Sequence, residues 1–185
     1  MRLHLAATLA LCTATAAHAE AMRVNCLDGA ITSWGTCVAI DERHILTANH
    51  VVAKGAVSVE LDGKWEPAKV IARDVTCDMA LLRTEATVKV FHELLDMPSL
   101  TLHASRGIKG DGTTPVEKQD VGITSLDIGG DVGQANSGAP VLVNDCIVGI
   151  VIGVEPGESP KRATCVPAET IRKFLAKAGW KKKER

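Results

Sequence analysis

Three residues far apart in the chain sit where a side chain could be offered to chemistry. His50 closes the run Ile45-Leu46-Thr47-Ala48-Asn49-His50-Val51-Val52, an apolar strand that ends at a turn. Asp78 stands immediately before Met79-Ala80-Leu81-Leu82, a stretch apolar enough to be buried, and a carboxylate at such an entrance is costly unless it is paired. Ser137 lies in Gly133-Gln134-Ala135-Asn136-Ser137-Gly138-Ala139-Pro140, a tight glycine-containing loop that feeds Val141-Leu142-Val143. A hydroxyl, a base, a carboxylate to orient the base and a loop rich in backbone N–H donors are the parts of nucleophilic acyl transfer. Each also has an ordinary reading. The histidine is then a polar residue at a strand end, the aspartate a turn cap (a role that fits Asp74 better than Asp78), and the serine loop a common hairpin.

The elements that must position these residues read as short β-rich runs punctuated by Gly, Asp, Asn and Pro. The expected strands are 36–40, 44–47, 57–61, 68–72, 79–83, 138–143 and 147–154. Many short strands with turns between them argue for a barrel or sandwich rather than alternating βα units. The exception is 168–178, where Ile171, Phe174, Leu175 and Ala178 recur at helical spacing after Pro167. That segment is expected to be a terminal helix packed on the β-structure, and the basic run after Trp180 a solvated tail.

Composition narrows the function classes. Of 185 residues, 46% are hydrophobic and 23% charged, which suits a compact globular unit. A net charge of −1 gives no field to draw in nucleic acid or an anionic membrane, so neither is an expected partner. With aromatics at 3%, the core must come from Val, Ile, Leu and Ala, a composition that favours strands. Residues 1–19 follow the export pattern. Arg2 precedes an apolar stretch, and Ala17-His18-Ala19 offers small residues before Glu20. The apolar run falls short of the roughly 20 residues that span a bilayer. Cleavage after Ala19, with no stable membrane association afterwards and a periplasmic or extracellular destination, is the expectation. A lipoprotein reading would need Cys12 lipidated, yet Leu11 occupies a place where that processing site resembles one needing a small residue. Removing Cys12 leaves Cys26, Cys37, Cys77, Cys146 and Cys165, which permit at most two disulfides and one free thiol in an oxidising compartment. Their spacing does not suggest a structural metal, and no cofactor is expected.

The three segments resemble, in chain order, the motifs of the trypsin/chymotrypsin superfamily of serine proteases. "ILTANHVV" is similar to its histidine signature, "DMALL" to its aspartate signature and "ANSGAP" to its serine signature. "GTCVAI" before the histidine and "CIVGIVIG" after the serine extend the likeness, and "CVPAETIRKFL" resembles the end of the protease domain in bacterial HtrA-type enzymes, where a strand and a proline lead into a final helix. The resemblance spans about Thr32 to Ala178, with no PDZ-like module following. It implies an all-β fold of two six-stranded antiparallel β-barrels, at about 20–95 and 96–168, with a short C-terminal helix at 168–178 and the catalytic residues between the barrels. Carried onto this chain, it makes His50, Asp78 and Ser137 the triad of a serine endopeptidase that acts on polypeptides through an acyl-enzyme. The backbone N–H groups of Ala135 and Ser137 become the oxyanion hole.

Four departures or specifics follow from the resemblance. The family usually has Gly where this chain has Ala135. If that loop needs a positive φ, a Cβ costs about 1–2 kcal/mol, and a lost donor costs roughly 100- to 1000-fold in rate. Ala139 replaces a second Gly, a milder change. Asn136 stands where trypsin-like zymogens carry the aspartate that pairs with a new N-terminus, so no activation cut beyond signal removal is expected. The implied substrate pocket comprises Asp131, Gln134, Ile152 and Val154. Asp131 reads equally well as an exposed turn residue in Gly129-Gly130-Asp131, and Val154 narrows an entrance where glycine is usual. Two other readings remain beside the active peptidase: a catalytically impaired relative that binds peptides in the same cleft, and an unrelated exported β-domain with a structural role.

Overall fold

The computed structural model describes residues 22–95, 106–109, 112–115, 119–121, 126–129, 136–143, 145–154 and 162–182. Six strands form the first lobe: β1 Met22–Asp28, β2 Ile31–Ala39, β3 His44–Ala48, β4 Ala56–Leu61, β5 Lys64–Asp74 and β6 Met79–Thr84. They pair antiparallel in the order β1-β2-β3-β6-β5-β4, and β4 returns to β1, so the barrel closes.

The apolar runs that announced β3 and β6 are buried on both faces, which is why they do not alternate. Ile45 pairs with Leu82, and both fill the barrel interior with Val24, Cys37, Val52 and Val59. Leu46 pairs with Leu81, and both point out of the barrel into a second cluster. β5 has one dry face only, and its burial alternates residue by residue.

The second lobe is a seven-stranded sheet. Its strands are β7 Arg106–Lys109, β8 Gly112–Pro115, β9 Gln119–Val121, β10 Leu126–Gly129, β11 Pro140–Val143, β12 Cys146–Val154 and β13 Arg162–Pro167, in the order β8-β7-β11-β12-β13-β10-β9. The expected second six-stranded barrel is therefore not what the described residues form. Closure would require β8 to pair with β9, and among the described residues no such ladder exists, so the sheet is open.

Helix α1, Ala168–Lys177, follows directly from β13. Pro167, in extended conformation, is its N-cap, and Ile171, Phe174 and Leu175 form its buried stripe. That stripe completes the cluster between the lobes. Val38, Ile40, Leu46, Met79 and Leu81 come from the barrel, Leu142, Ile147, Ile150 and Val166 from the sheet. Beyond the helix, the Trp180 indole N–H donates to Asp41 at 2.9 Å, tying the chain's end to the β2–β3 turn.

The cysteine expectation needs correction, because Cys26, Cys37, Cys77, Cys146 and Cys165 form no disulfide. Cys26 and Cys37 share the barrel interior on neighbouring strands, but Cys26 lies opposite Ser33. Four residues of strand, about 13 Å, separate Ser33 from Cys37, and a disulfide needs Cα atoms within about 7 Å. Cys165 faces Val151, five residues along β12 from Cys146. Complete burial pushes the Cys37 thiol far above its usual range. Among the described residues no helix is long and apolar enough to cross a membrane.

Candidate active site

Strand register explains why a histidine and an aspartate 28 residues apart meet. β3 ends at Ala48, which pairs with Met79, the first residue of β6. The residues just beyond this last pair are Asn49 and Asp78, and the ladder continues through them, the Asn49 N–H donating to the Asp78 carbonyl at 2.9 Å. Past Asn49 the chain tightens into a 3-10 turn, Asn49–Val52, held down by the buried Val51 and Val52. Asn49 is itself buried, and its side-chain oxygen accepts from Arg73 at 3.1 Å. His50 is thereby lifted to the surface at the top of the barrel.

Asp78 holds His50 at two points. One carboxylate oxygen accepts the His50 backbone N–H at 2.9 Å, and the other lies 2.6 Å from Nδ1. This geometry requires Asp78 to adopt φ 51°, a left-handed conformation that Asp tolerates better than most residues. Strain of this kind persists where surrounding contacts fix it. The hydrogen bond to Asp78 raises the His50 pKa above the ordinary 6.5; partial burial opposes the rise and the carboxylate's charge adds to it. With Nδ1 turned to the carboxylate, Nε2 is the nitrogen left to face a reactant. Asp74, by contrast, accepts the backbone N–H groups of Thr76 and Cys77 and is the turn cap.

The serine loop belongs to the other lobe. Asn136 and Ser137 are buried, and the Asn136 carbonyl accepts the Ala139 N–H at 2.8 Å to close a turn around Ser137 and Gly138. The Ser137 carbonyl accepts the Thr36 N–H of β2 at 2.8 Å, so the loop is hydrogen-bonded across the lobe boundary to the barrel. Two glycines make that approach possible. A Cβ on Gly35 would lie 2.8 Å from the Ser137 carbonyl oxygen and equally close to both Val51 methyls. Gly138 has φ +91°, and a Cβ there would fall 1.9 Å from the Thr36 carbonyl oxygen. The contact that brings Ser137 against Gly35 therefore also touches Val51, the neighbour of His50.

Ala139 is fully buried among Val141, Val148, Val151, Ala163 and Cys165, a seat that suits its methyl. Ala135, Asp131 and Gln134 lie outside the described residues. Ile152 sits at a register shift between β12 and β13 and packs against the barrel interior and the interlobe cluster alike. A bulge of this kind re-aims side chains beside functional sites. Val154 ends β12, and its side chain is outside the described set. Sequence reasoning assigned no role to Gly35, Thr36 or Arg73, although "GTC" drew notice as part of a motif. What set Gly35 apart was the approach of a loop from the other lobe, which no local pattern records. Among the described residues no group of three or more His, Cys, Asp or Glu side chains is arranged to hold a metal.

Residues 35–116 match the family model of the trypsin-like peptidase domain. The active form of the Rv3671c protease from M. tuberculosis superposes with a TM-score of 0.73 at 22% identity, covering 90% of this chain and 83% of that one. The fold is that of the trypsin-like serine proteases. The inactive form of Rv3671c matches with a TM-score of 0.69 at 22% identity, over 86% of this chain and 89% of that one. A serine-to-alanine mutant of Rv3671c from M. tuberculosis H37Rv, also in an inactive form, gives 0.66 at 23% identity, over 85% and 86%. No curated protein matches the sequence. A trypsin-like serine-type hydrolase is the class that the family match and these neighbours support together.

Proposed function

We propose that this chain is an exported serine endopeptidase in which Ser137, His50 and Asp78 act as nucleophile, general base and orienting carboxylate. The observation that carries the reading is the two-point clamp of Asp78 on His50 beside the loop of Ser137. In this mechanism Ser137 Oγ attacks the scissile carbonyl as His50 Nε2 takes its proton. The tetrahedral oxyanion collapses, His50 returns the proton to the leaving amine, and an acyl-enzyme remains for water to hydrolyse. Asp78 keeps the imidazole in the required tautomer and stabilises its charged form. Backbone N–H groups of Ser137 and Ala135 stabilise the oxyanion.

Asp131, Gln134, Ile152 and Val154 line the acyl-side pocket in this proposal, on the second lobe, which as a complete barrel would put the reacting row at the boundary between two barrels. Asn136 offers no charge to pair with a new N-terminus, so the chain is active once residues 1–19 are removed and the protein has reached the periplasm or the exterior. A fluorophosphonate probe tests the reading directly. The chain should be labelled, and Ser137→Ala should abolish the label; a wild-type chain that stays unlabelled at pH 8 refutes the enzymatic assignment.

A further inference from the structure

The largest exposed apolar feature of the barrel has no part in the mechanism above. Trp34 is 54% exposed and Trp65 38%, and their rings meet edge to face with centroids 5.5 Å apart at 73°. The Arg23 guanidinium lies 5.9 Å from the centre of the Trp65 ring. Glu60 fixes that guanidinium through two hydrogen bonds, the one to Nη2 at 2.7 Å, so its charge is already matched. Two large aromatic side chains held rigid in water are an unusual expense for a chain with 3% aromatics.

Their place in the sheet says what they serve. Trp34, Thr36, Val38 and Ile40 alternate onto one face of β2. Val38 and Ile40 are buried between the lobes, Thr36 carries the hydrogen bond to Ser137, and Trp34 is the next residue outward on the same face. Two residues of strand place the Trp34 Cα about 7 Å beyond Thr36. The row across the sheet begins at the same point, Thr36 lying opposite Arg23, Arg23 bonded to Glu60, and Glu60 opposite Trp65. The aromatic pair is thus continuous with the surface on which the Ser137 loop rests. It stands on the barrel, across Ser137 from the second lobe that would hold the acyl side of the substrate.

We propose that Trp34 and Trp65 form a ledge that receives an apolar or aromatic side chain of the polypeptide segment leaving on the amine side of the cut. This rests on the peptidase reading above and adds to it a specificity element on the first lobe. At about 3.3 Å per residue, an extended segment crossing from Ser137 reaches the ledge two to four residues after the scissile bond. The ledge carries no unmatched charge, so it favours neutral side chains over charged ones.

The test uses internally quenched peptides that are identical up to the cut and carry Leu, Trp, Gly or Glu two to four residues beyond it. Wild type should cleave the Leu and Trp peptides about tenfold faster, in kcat/KM, than the Gly peptide. In Trp34→Ala and Trp65→Ala that ratio should fall to about twofold or less; the ratio cancels any general change in turnover. A ratio that survives both substitutions overturns the ledge. So does a change in sedimentation from dimer to monomer with the ratio intact, which would make the pair a contact between copies. Binding of the fluorescently labelled leaving segment to Ser137→Ala, followed by anisotropy, reads the ledge without turnover. Weaker binding in the Trp34→Ala background supports it even if wild type resists the fluorophosphonate, an outcome that would sink the peptidase reading alone.

Discussion

The two lobes contribute to the candidate site in different ways. The barrel holds its histidine and aspartate by its own ladder, since the Ala48–Met79 pair continues into Asn49 and Asp78 and delivers the clamp without help from the other lobe. The sheet supplies Ser137 on a loop whose resting place belongs to its neighbour, through Thr36, Gly35 and the space that Gly138 leaves open. One half of the site is therefore a product of local register, and the other depends on how the lobes meet. Chemistry and stability should separate along the same line.

The largest effect should come from the clamp. Asp78→Asn keeps a residue that accepts φ 51° but removes the charge, and kcat should fall about 10⁴-fold with the fold intact by circular dichroism. A loss of tenfold or less would mean that the carboxylate does not set the histidine's tautomer. The pH profile sharpens the point. Since His50 is held above 6.5 in the folded chain, the alkaline rise in kcat/KM should have its midpoint above that value in wild type, and below the wild-type midpoint in Asp78→Asn. The same shift makes the clamp's stabilising contribution complete below the unfolded value near 6.5 and lost as pH climbs through the folded pKa.

Next in size is a change confined to the barrel. Leu82 is fully buried in the interior, and Leu82→Ala should cost about 2–5 kcal/mol in chemical denaturation. Gly138→Ala tests the opposite half. Its Cβ would collide with backbone, so the serine loop must shift, and labelling at Ser137 should slow by at least about 100-fold. The barrel's near-native stability in that variant would confirm the division, and a collapse of the whole fold would break it. The smallest effect is expected at the surface, where Lys173 and Glu169 pair one turn apart on α1 at 2.8 Å. Lys173→Ala should move stability by only about 0.3–0.5 kcal/mol.

The same division explains what could be read from residues alone. β3, β4, β5 and β6 were visible as apolar or alternating runs bounded by turn residues, and α1 from its stripe after Pro167, because each buries a face patterned within a few neighbours. Asp74 and Asp78 were told apart correctly, since only one precedes a strand buried on both faces. β1 escaped notice because Arg23, Asn25 and Asp28 dilute its inward Val24 and Cys26. β7 to β10 escaped because runs such as Arg106–Lys109 and Gly112–Pro115 carry too few apolar side chains to show a period. The cysteines misled for a further reason: spacing along a chain says nothing of the stagger between strands.

α1 lies beyond every strand of both lobes in chain order, and its Ile171, Phe174 and Leu175 plug the seam to which each lobe contributes one wall. Until that last segment emerges and docks, with Trp180 latched onto Asp41, the outer face of the barrel has no lid and the serine loop no settled neighbour. A nascent chain still being threaded out of the cell would consequently be harmless to its own transport machinery, and destructive power would arrive only with the final turn of helix.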